Sequence, residues 1–492
     1  MRARIRSFAL GAAVVAVGAA AVVACGSDPA GRAFDETDAA QLPEANVPEA
    51  AAETSTDAHD ASDERPPFDP KDEPITCASG AAACAVDLVA GGSHFCARMN
   101  DGTVRCWGDD AFGALGGGSP DRDAGSPADA GVEAGTRTRT VAGLSGVTQL
   151  SASGATTCAR VDDGGVLCWG DNGFGQLGLS STKPSVDQDP HPTATPVPLT
   201  EAALRVDVGA ENACALLASG GLWCWGNDEQ GQLARDGIDT QFVIGPGAAS
   251  IGPIALAYLR LGSTTLLAVT PAGDVVSWGT VGGNDGILAG RMTSISPDLV
   301  PQRIPQLSAV SSLAVSASFF KGEGGAFGTG ATMGIGPAPP PAGPPARHGH
   351  ACAISGGEVS CWGRSDRGAL CTGFPDAELL PAKAPIASKA WAQQVAVGDE
   401  LTCARMTDGT VQCCGDDTRG RLGTGKVGLF SAFFGAAEGF AGHAVRVAAS
   451  SRSVCALVQG GTVECWGSNQ NGELAQGAPD DAPHPTASKV AF

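Results

Sequence analysis

The chain has 492 residues, including 70 glycines and 32 prolines, and it carries 31 Lys and Arg against 52 Asp and Glu. The resulting formal charge of −21 argues against nucleic acid as a partner, because nucleic-acid-binding proteins need basic residues to neutralise phosphates. High glycine content together with few charges favours an all-β protein made of many short strands and turns.

Residues 1–24 have the layout of a lipoprotein signal peptide. Three arginines, Arg2, Arg4 and Arg6, precede an apolar run that ends in the letters VVAC. This ending resembles the lipobox of bacterial lipoproteins, which implies that Cys25 is lipidated and becomes the mature N-terminus. Because no Asp follows Cys25, the resemblance implies sorting to the outer membrane or the cell surface. An ordinary cleaved signal peptide or an uncleaved anchor helix is the alternative.

Residues 25–76 are predicted to form an acidic, disordered tether. Residues 26–76 contain 14 Asp and Glu but three Lys and Arg, with many Ala, Pro, Ser and Thr. Such a segment cannot bury enough apolar surface to offset the entropy lost on ordering. A plain spacer is favoured over an acidic binding tail.

Residues 77–492 contain a repeat with a period of a little over 50 residues. Its marker is a Trp-Gly pair, and a seventh slot holds Cys414 in place of the Trp. Most steps between markers are 52 to 62 residues, and one is 84. The Trp-Gly pairs are Trp107 and Gly108, Trp169 and Gly170, Trp225 and Gly226, Trp278 and Gly279, Trp362 and Gly363, and Trp466 and Gly467.

Each repeat has a β pattern. Alternating strand-type residues flank Asp-Gly or Gly-Gly hairpin signals, and the spacing leaves room for four strands in each repeat. No segment has a long apolar period of 3.6 residues, which argues against a helical solenoid. Seven four-stranded units in one contiguous region predict an all-β fold, a β-propeller.

The repeats resemble the regulator-of-chromosome-condensation repeat family over roughly residues 85 to 492. The segments CARVDDGGVLCWGDNGFGQLG (158–178) and CALVQGGTVECWGSNQNGELAQG (455–477) carry the resemblance. They combine a glycine-bounded hairpin, Trp-Gly, Asn or Asp, and Gly-x-Leu. The resemblance implies a seven-bladed propeller in which Trp fills the wedge between neighbouring blades. The shared residues are structural, so the resemblance is specific for the fold and weak for activity.

Six of the repeats contain two cysteines each, and the two are predicted to form a disulfide across a hairpin. Opposition of Cys96 and Cys106 leaves a three-residue turn ending in Gly102, which is the glycine position of that turn. Opposed Cα atoms about 4.5–5.5 Å apart are within reach of a disulfide. The predicted pairs are Cys96 with Cys106, Cys158 with Cys168, Cys214 with Cys224, Cys352 with Cys361, Cys403 with Cys413, and Cys455 with Cys465.

The fourth repeat supports pairing because its two cysteine slots hold Leu267 and Ser277, so both thiols are missing together. Zinc is the rival interpretation, but zinc sites usually need short CxxC knuckles and four converging ligands. Four cysteines remain. Cys77 and Cys84 could bridge, whereas Cys371 replaces a repeat glycine and Cys414 replaces the repeat Trp. Whether the last two compensate each other stays open at this point.

The sequence contains no recognisable catalytic, metal or cofactor site. It lacks the Gly-x-Ser-x-Gly, HExxH and phosphate-loop motifs. His348 and His350 hint at a metal, but His350 occupies the same repeat position as His94. The Pro-rich insertion at about 319–346 is predicted to be a surface loop, since proline cannot continue a strand ladder. We therefore expect no cofactor and no catalysis.

Three further aromatic features remain as candidate contact surfaces. The segment 428–440 carries Phe430, Phe433, Phe434 and Phe440 (GLFSAFFGAAEGF), and an outer strand packed on its neighbour is favoured over an exposed partner patch. Trp223 and Trp391 lie outside the repeat slots and are hot-spot candidates, with core packing as the default.

The sequence therefore predicts a monomeric, lipid-anchored binding propeller of the cell envelope, whose partner is a protein or an envelope polymer. Two alternatives follow from other arguments. Family resemblance implies guanine-nucleotide exchange on a small GTPase. That GTPase is cytosolic, so an exported protein would not encounter it. A hydrolase or lyase on a propeller face is the second alternative. Neither the ligand nor the binding face can be predicted.

Overall fold

A computed structural model of the protein describes residues 65, 67–69, 72–78, 83–118, 137–180, 186–235, 243–280, 286–316, 349–373, 377–386 and 388–492. The predicted signal peptide, the lipidation site Cys25 and the Pro-rich insertion 319–346 lie outside the described residues. Within the described residues, no helix combines the length and the apolar character needed to cross a membrane.

The described residues form 28 strands, which make seven antiparallel sheets of four strands each. Every sheet contains four consecutive strands of the chain, and the sheets follow one another around a ring. The predicted seven-bladed, all-β propeller is confirmed. The innermost strand of each blade faces a central channel, and the fourth strand lies at the rim.

The strands are grouped here by their position in the blade. The innermost strands are β1 (Ala85–Ala90), β5 (Val147–Ser153), β9 (Ala203–Val208), β13 (Tyr258–Leu261), β17 (Val310–Val315), β21 (Ala392–Gly398) and β25 (Ala444–Ala449). The second strands are β2 (His94–Met99), β6 (Thr156–Val161), β10 (Asn212–Leu217), β14 (Thr265–Val269), β18 (His350–Ser355), β22 (Leu401–Met406) and β26 (Ser453–Val458).

The third and fourth strands complete each blade. The third strands are β3 (Val104–Gly108), β7 (Val166–Gly170), β11 (Leu222–Asn227), β15 (Val275–Gly279), β19 (Glu358–Arg364), β23 (Val411–Asp416) and β27 (Val463–Asn469). The outer strands are β4 (Arg139–Thr140), β8 (His191–Pro196), β12 (Val243–Ala248), β16 (Asp298–Arg303), β20 (Ala377–Ala384), β24 (Phe430–Ala436) and β28 (Asp480–Lys489). Two short 3-10 turns, Ala111–Gly113 and Gly286–Ala289, follow third strands.

The turn between the second and third strands sets the register of each blade. In blade one, the Met99 amide donates to the Thr103 carbonyl at 2.9 Å, and Gly102 adopts a φ of +79°. In blade five the turn has two residues, Gly356 and Gly357, and both have positive φ. Glycine adopts this left-handed conformation without steric cost, so each turn has the length that its sequence demands. We call the side of the ring that carries these turns the hairpin face.

Trp side chains fill the wedges between blades. The six Trp residues of the Trp-Gly pairs are fully buried. Each indole Nε1 donates to a backbone carbonyl of the preceding blade at 2.8–3.0 Å. The pairs are Trp107 with Glu473, Trp169 with Ala114, Trp225 with Gln176, Trp278 with Gln232, Trp362 with Leu288, and Trp466 with Arg421. A buried N–H is therefore satisfied while the ring supplies apolar contact area.

In each blade, one residue near the junction with the next blade adopts a left-handed conformation, with φ between +50° and +70°. In six blades it lies two positions after the carbonyl that the indole binds, and in blade five it lies two positions after the equivalent carbonyl, that of Ala369. At Gly178 a Cβ would lie 2.7 Å from the Trp225 Nε1 atom, so a small residue there lets the indole approach. The seven residues are Gly116, Gly178, Ala234, Gly290, Cys371, Gly423 and Ala475.

The ring closes between blades seven and one through side-chain packing and a backbone hydrogen bond, without a shared sheet. Blades one and seven have separate sheets. Trp107 packs edge-on against Phe492, with ring centroids 5.7 Å apart. The Ala85 amide also donates to the Gly461 carbonyl at 2.9 Å. Closure between the last and the first blade therefore resembles the other junctions that a tryptophan closes.

Candidate functional site

The central channel is lined by the innermost strands of all seven blades. A cavity of about 200 Å³ touches each of these strands. A smaller cavity of about 70 Å³ lies toward the opposite face, among glycine and serine turns such as Gly91, Gly154 and Ser450. The larger of these two cavities therefore lies on the side of the hairpin face.

One ring of equivalent positions surrounds the channel mouth at the hairpin face. Each position lies on an innermost strand. It pairs with the residue of the second strand that lies two positions after the first cysteine slot of that blade. Seven side chains of five types occupy this mouth ring: Asp87, Gln149, Arg205, Tyr258, Ser312, Gln394 and Arg446. The repeat is therefore regular in its core and irregular at the mouth.

Several mouth-ring side chains bond the backbone of the next blade. Gln149 donates to the Val206 carbonyl at 2.6 Å and accepts from the Val206 amide at 3.0 Å. Gln394 likewise donates to the Val447 carbonyl and accepts from the Val447 amide, both at 2.9 Å. The innermost strands are sheet edges, whose free amides and carbonyls need partners. The side-chain amides supply those partners and hold adjacent blades in register.

Four arginines bring positive charge to the mouth, and two of them share one carboxylate. Arg205 binds Asp207 through two hydrogen bonds of 2.8 and 2.9 Å, and Arg260 binds the same carboxylate at 3.2 Å. Both guanidinium groups lie over the ring of Tyr258, at 5.3 and 4.9 Å from its centroid. Burial raises the pKa of the Tyr258 hydroxyl, so it remains neutral. The Asp207 carboxylate thus pairs with two arginines, so the three side chains together carry a net positive charge.

Arg446 lies on the other side of the mouth, and its side chain is 40% exposed. Its Nε atom is 3.5 Å from Asp87 Oδ1. Arg405 lies beside it, 1% exposed, with its Nη1 donating to Gln393 Oε1 at 2.9 Å. The Arg405 Nε atom is buried without a hydrogen-bond partner, and burial lowers the pKa of this guanidinium.

A segment ahead of blade one crosses the hairpin face. We call residues 65, 67–69 and 72–78 the strap. Asp72 reaches both Arg446 and Arg405, with N to O distances of 3.6 and 3.7 Å, and Glu73 binds His443 at 2.6 Å. The end of the predicted tether therefore lies against the propeller. Charge complementarity accounts for the contact, because the acidic strap meets the basic part of the mouth.

The two ends of the strap are fastened separately. At one end, Phe68 packs on Trp391 with ring centroids 6.4 Å apart, and the Arg65 guanidinium lies 3.8 Å from the Trp391 ring centroid. At the other end, the Thr76 amide donates to the Gln459 carbonyl at 2.8 Å. A Cys77–Cys84 disulfide then joins the strap to the residue before β1.

The cysteine pairs predicted across hairpins are bonded in the structure. They lie opposite each other in the register of every blade concerned, with Cα atoms 4.1 Å apart. This separation is below the expected range of about 4.5–5.5 Å for opposed Cα atoms, because the covalent bond draws the strands together. In blade four, Leu267 and Ser277 occupy the two opposed positions.

The two cysteines whose pairing stayed open form a disulfide between blades. Cys371 of blade five bonds Cys414 of blade six, with Cα atoms 5.7 Å apart. Cys414 occupies the Trp slot and Cys371 the left-handed slot that faces it. The Thr402 hydroxyl donates to the Ala369 carbonyl at 2.7 Å, the carbonyl that an indole binds elsewhere.

The structure places His350 in the blade interior. His350 Nε2 lies 2.8 Å from the Thr402 hydroxyl, and His94 Nε2 lies 2.7 Å from that of Thr157. Burial lowers the pKa of His94 to about 4 and that of His350 to about 3. Both rings are therefore neutral at pH 7. His348 lies outside the described residues, and the part of the chain that the structure describes contains no group of three metal-ligating side chains.

The aromatic candidates divide between core and surface. Phe434 and Phe440 are buried, and Phe440 packs on Trp466 at 5.6 Å. Phe430 and Phe433 are 49% and 56% exposed on β24, the outer strand of blade six. Trp223 packs partly buried against the cluster between blades two and three.

The mouth ring and the strap are the features that sequence reasoning missed. A signal for the ring is present, since Arg205, Arg260 and Arg446 each interrupt a small apolar strand. A charged side chain in such a strand is unusual unless it is paired or faces a polar space. For the strap, the sequence signal is limited to Phe68 and Ile75, two apolar residues within an acidic segment.

Comparison with known proteins identifies the repeat. Models of the regulator of chromosome condensation (RCC1) repeat match residues 85–114, 147–176, 205–232 and 392–421, and a second model of this repeat matches residues 163–216. The human E3 ubiquitin-protein ligase HERC2 is 26% identical over 235 residues, covering 47% of this chain and 5% of HERC2. Protein pim1 of Schizosaccharomyces pombe is 29% identical over 201 residues, covering 39% of this chain and 36% of pim1. The chain thus matches a minor part of these relatives' length.

Solved structures show the same fold. Yeast RCC1 (Prp20), crystallised bound to Kap60, superposes with a TM-score of 0.60 at 15% identity, covering 87% of this chain and 90% of that one. Human WBSCR16 has a TM-score of 0.54 at 16% identity, covering 73% of this chain and 84% of that one. The chain carries RCC1 repeats and folds as a seven-bladed RCC1-like propeller.

Proposed function

We propose that this RCC1-repeat propeller is a non-enzymatic protein-binding module, held at the cell envelope by a lipid on Cys25 and recognising its partner at the hairpin-face mouth of the channel. The observation that carries the proposal is the mouth ring. A rigid scaffold presents seven polar side chains of five types at one structural position, while its core positions repeat. Function typically resides in residues that a rigid scaffold positions without needing them for packing.

The chemistry of the mouth favours binding over catalysis. Its charged groups are arginines paired with Asp87 or Asp207, and its tyrosine is held neutral by burial. A general acid or base works best with a pKa near the operating pH, and arginine does not meet that requirement. Guanidinium groups are instead suited to binding carboxylates and are enriched at protein interfaces.

Export is supported by chain chemistry. The signal-like N-terminus precedes a domain whose cysteines are paired in eight disulfides within the described residues. Such bonds persist in oxidising compartments and are rare in the cytosol. A protein partner is supported by analogy, since yeast RCC1 was crystallised with Kap60 and Prp20p was studied for binding Gsp1p and histones.

Two experiments test the proposal in the native cell. Cys25→Ser should release the protein from membranes or stall its processing, and unchanged fractionation with unchanged mature mass would overturn the anchor. For the binding face, a photo-crosslinking residue at Ser312 should yield a discrete adduct with an envelope protein. The same residue at Val300, which is 58% exposed on the rim of blade four, serves as the matched control.

The outcomes separate the alternatives. Adducts from both positions, or from neither, would overturn binding at the mouth. Adducts with polysaccharide alone would replace the protein partner by an envelope polymer. Accelerated nucleotide release from a small GTPase by the purified protein would favour the exchange-factor alternative.

A further inference from the structure

The basic mouth is partly occupied by the chain's own acidic strap. Arg205, Arg260, Arg405 and Arg446 converge there, and the innermost strands pair them with two carboxylates, Asp87 and Asp207. The excess of guanidinium groups is unusual in a chain with a formal charge of −21. Asp72 compensates part of it from outside the ring.

Arg405 is the strongest sign that the mouth is built for an acidic ligand. A buried guanidinium is costly unless it is paired and hydrogen-bonded. Here its acidic contact is Asp72 at 3.7 Å, whose own side chain is 65% exposed, and its Nε atom has no hydrogen-bond partner. The strap thus neutralises Arg405 without saturating its donors.

The contacts of the strap also define a peptide-shaped site. Gly357 makes room for Phe68 against Trp391, since a Cβ on Gly357 would lie 2.7 Å from the indole and 2.9 Å from the Phe68 ring. Four residues further along, Asp72 reaches the two arginines. An aromatic anchor on Trp391 followed by carboxylates on Arg405 and Arg446 is a pattern that an extended peptide can satisfy.

We propose that this site binds an acidic, aromatic-containing segment of the protein partner, and that the strap is a displaceable internal occupant of the same site. This inference rests on the proposed protein-binding function. The Cys77–Cys84 disulfide keeps a displaced strap attached beside the site. Attachment through a short linker gives the strap an effective concentration of the order of millimolar, so that it competes with weak ligands and yields to tight ones.

A peptide-binding measurement on the full, oxidised chain tests this inference. The probe is a fluorescein-labelled peptide with the sequence of residues 65–76 (RPPFDPKDEPIT). A strap-released variant carries Phe68→Ser, Asp72→Asn and Glu73→Gln. It should bind the probe about tenfold more tightly than the unaltered chain, because the internal competitor is weakened.

The arginine contribution is tested in the strap-released background. Arg446→Gln should weaken probe binding about tenfold, since it removes a charge partner of the Asp72 carboxylate. The matched control is Arg303→Gln, because Arg303 is paired with Asp274 on the rim of blade four, with its side chain 55% exposed. The control should bind the probe as the released variant does, and thermal melting verifies that all variants fold.

Several results would overturn the inference. They are equal probe affinity in released and unaltered chains, no effect of Arg446→Gln, or equal binding of a probe with Asn and Gln in place of Asp72 and Glu73. Inorganic polyphosphate that displaces the probe at lower concentration than the unlabelled peptide would make the mouth a general polyanion site.

Failure of this inference and failure of the proposed function give different results. If the Ser312 crosslinker captures the same envelope protein in the unaltered chain and in Arg446→Gln, the binding function stands and the acidic-segment site is wrong. If the probe binds as expected but no envelope protein is crosslinked, the site stands and the proposed function is wrong.

Discussion

Six junctions between blades are closed by a tryptophan, and the junction between blades five and six is closed by a disulfide. At the junction between blades two and three, the buried Trp225 contacts Gly178 and bonds the Gln176 carbonyl at 2.8 Å. At the exceptional junction, Cys414 and Cys371 occupy the Trp and glycine positions and are covalently joined.

The difference shows that the indole performs two separable tasks. It fills the wedge between sheets, and it satisfies a buried carbonyl that would otherwise lose its hydrogen bond at a cost of about 1–3 kcal/mol. Between blades five and six, the disulfide links the two slots while the Thr402 hydroxyl binds the Ala369 carbonyl. Wedge closure therefore depends on filled volume and a satisfied acceptor, and not on Trp itself.

The largest expected effect is the loss of one Trp wedge. Trp225→Ala should lower the free energy of unfolding by about 3–5 kcal/mol, because it leaves a cavity and an unsatisfied carbonyl. Trp225→Phe keeps most of the apolar contact and should cost less. Urea unfolding measures both variants, and equal losses would show that the hydrogen bond outweighs the packing.

Replacing the disulfide at the exceptional junction should cost somewhat less. Cys371→Ala with Cys414→Ala should lose about 4 kcal/mol, the chain-entropy estimate for a link between residues separated by this length of chain. Cys371→Gly with Cys414→Trp rebuilds the ordinary wedge and should recover at least half of that loss. Thr402, which lies opposite Cys414, is compatible with a Trp at position 414, since Thr157 lies opposite Trp169 in blade two. No recovery on urea unfolding would mean that this junction has lost the shape of a Trp wedge.

Removing a disulfide within one blade should have a smaller effect than removing the one between blades. The chain-entropy estimate for the ten-residue separation of Cys158 and Cys168 is about 3 kcal/mol. Cys158→Leu with Cys168→Ser copies blade four, where Leu267 fills the space, and should lose less than that. Non-reducing peptide mapping of the unaltered protein should recover six links within hairpins, one between Cys371 and Cys414, and one between Cys77 and Cys84. Links scrambled among blades would contradict the register.

The smallest effect concerns the two histidines, one at each kind of junction. Native His94 and His350 stay neutral, with pKa values of about 4 and about 3, whereas an unfolded histidine binds a proton near its ordinary value of 6.5. The unfolded state therefore binds more protons between pH 6.5 and pH 4, and stability falls as the pH is lowered.

At pH 5 this loss should be about 1–2 kcal/mol for each histidine. His94→Thr with His350→Thr should flatten the dependence, since Thr156 and Thr265 occupy the same slot in other blades. Urea unfolding between pH 7 and pH 4 measures the difference. An unchanged slope would place the acid sensitivity elsewhere in the molecule.

The blade count and the strand order could be predicted because both depend on patterns that recur within about 50 residues. Hairpin register was predictable for the same reason, since turn length and glycine position constrain it locally. The Cys371–Cys414 link stayed open because it crosses a junction. Pairing across a wedge depends on how adjacent blades pack, and no local pattern encodes that.

The mouth ring and the strap lay beyond sequence reasoning for a further reason. Composition averaged over residues 26–76 predicts disorder, yet two apolar anchors and one disulfide suffice to hold the last part of that segment. Arg446 could be recognised as an anomaly in its strand, but its proximity to Asp72 depends on the path of the strap. Electrostatic sites assembled from distant segments require the fold itself.

Because every sheet is made of four consecutive strands, the propeller can be assembled in the order in which the chain is synthesised. Each blade can complete its own ladder, and six of the seven their hairpin disulfide, before the next blade has been synthesised. Local contacts of this kind favour rapid formation and limit the time for which sheet edges stay exposed. Among the disulfides of the described residues, only the bond between Cys371 and Cys414 has to wait for a following blade. The contacts that close the ring, such as that of Trp107 with Glu473, and the fastening of the strap have to wait for the last blade.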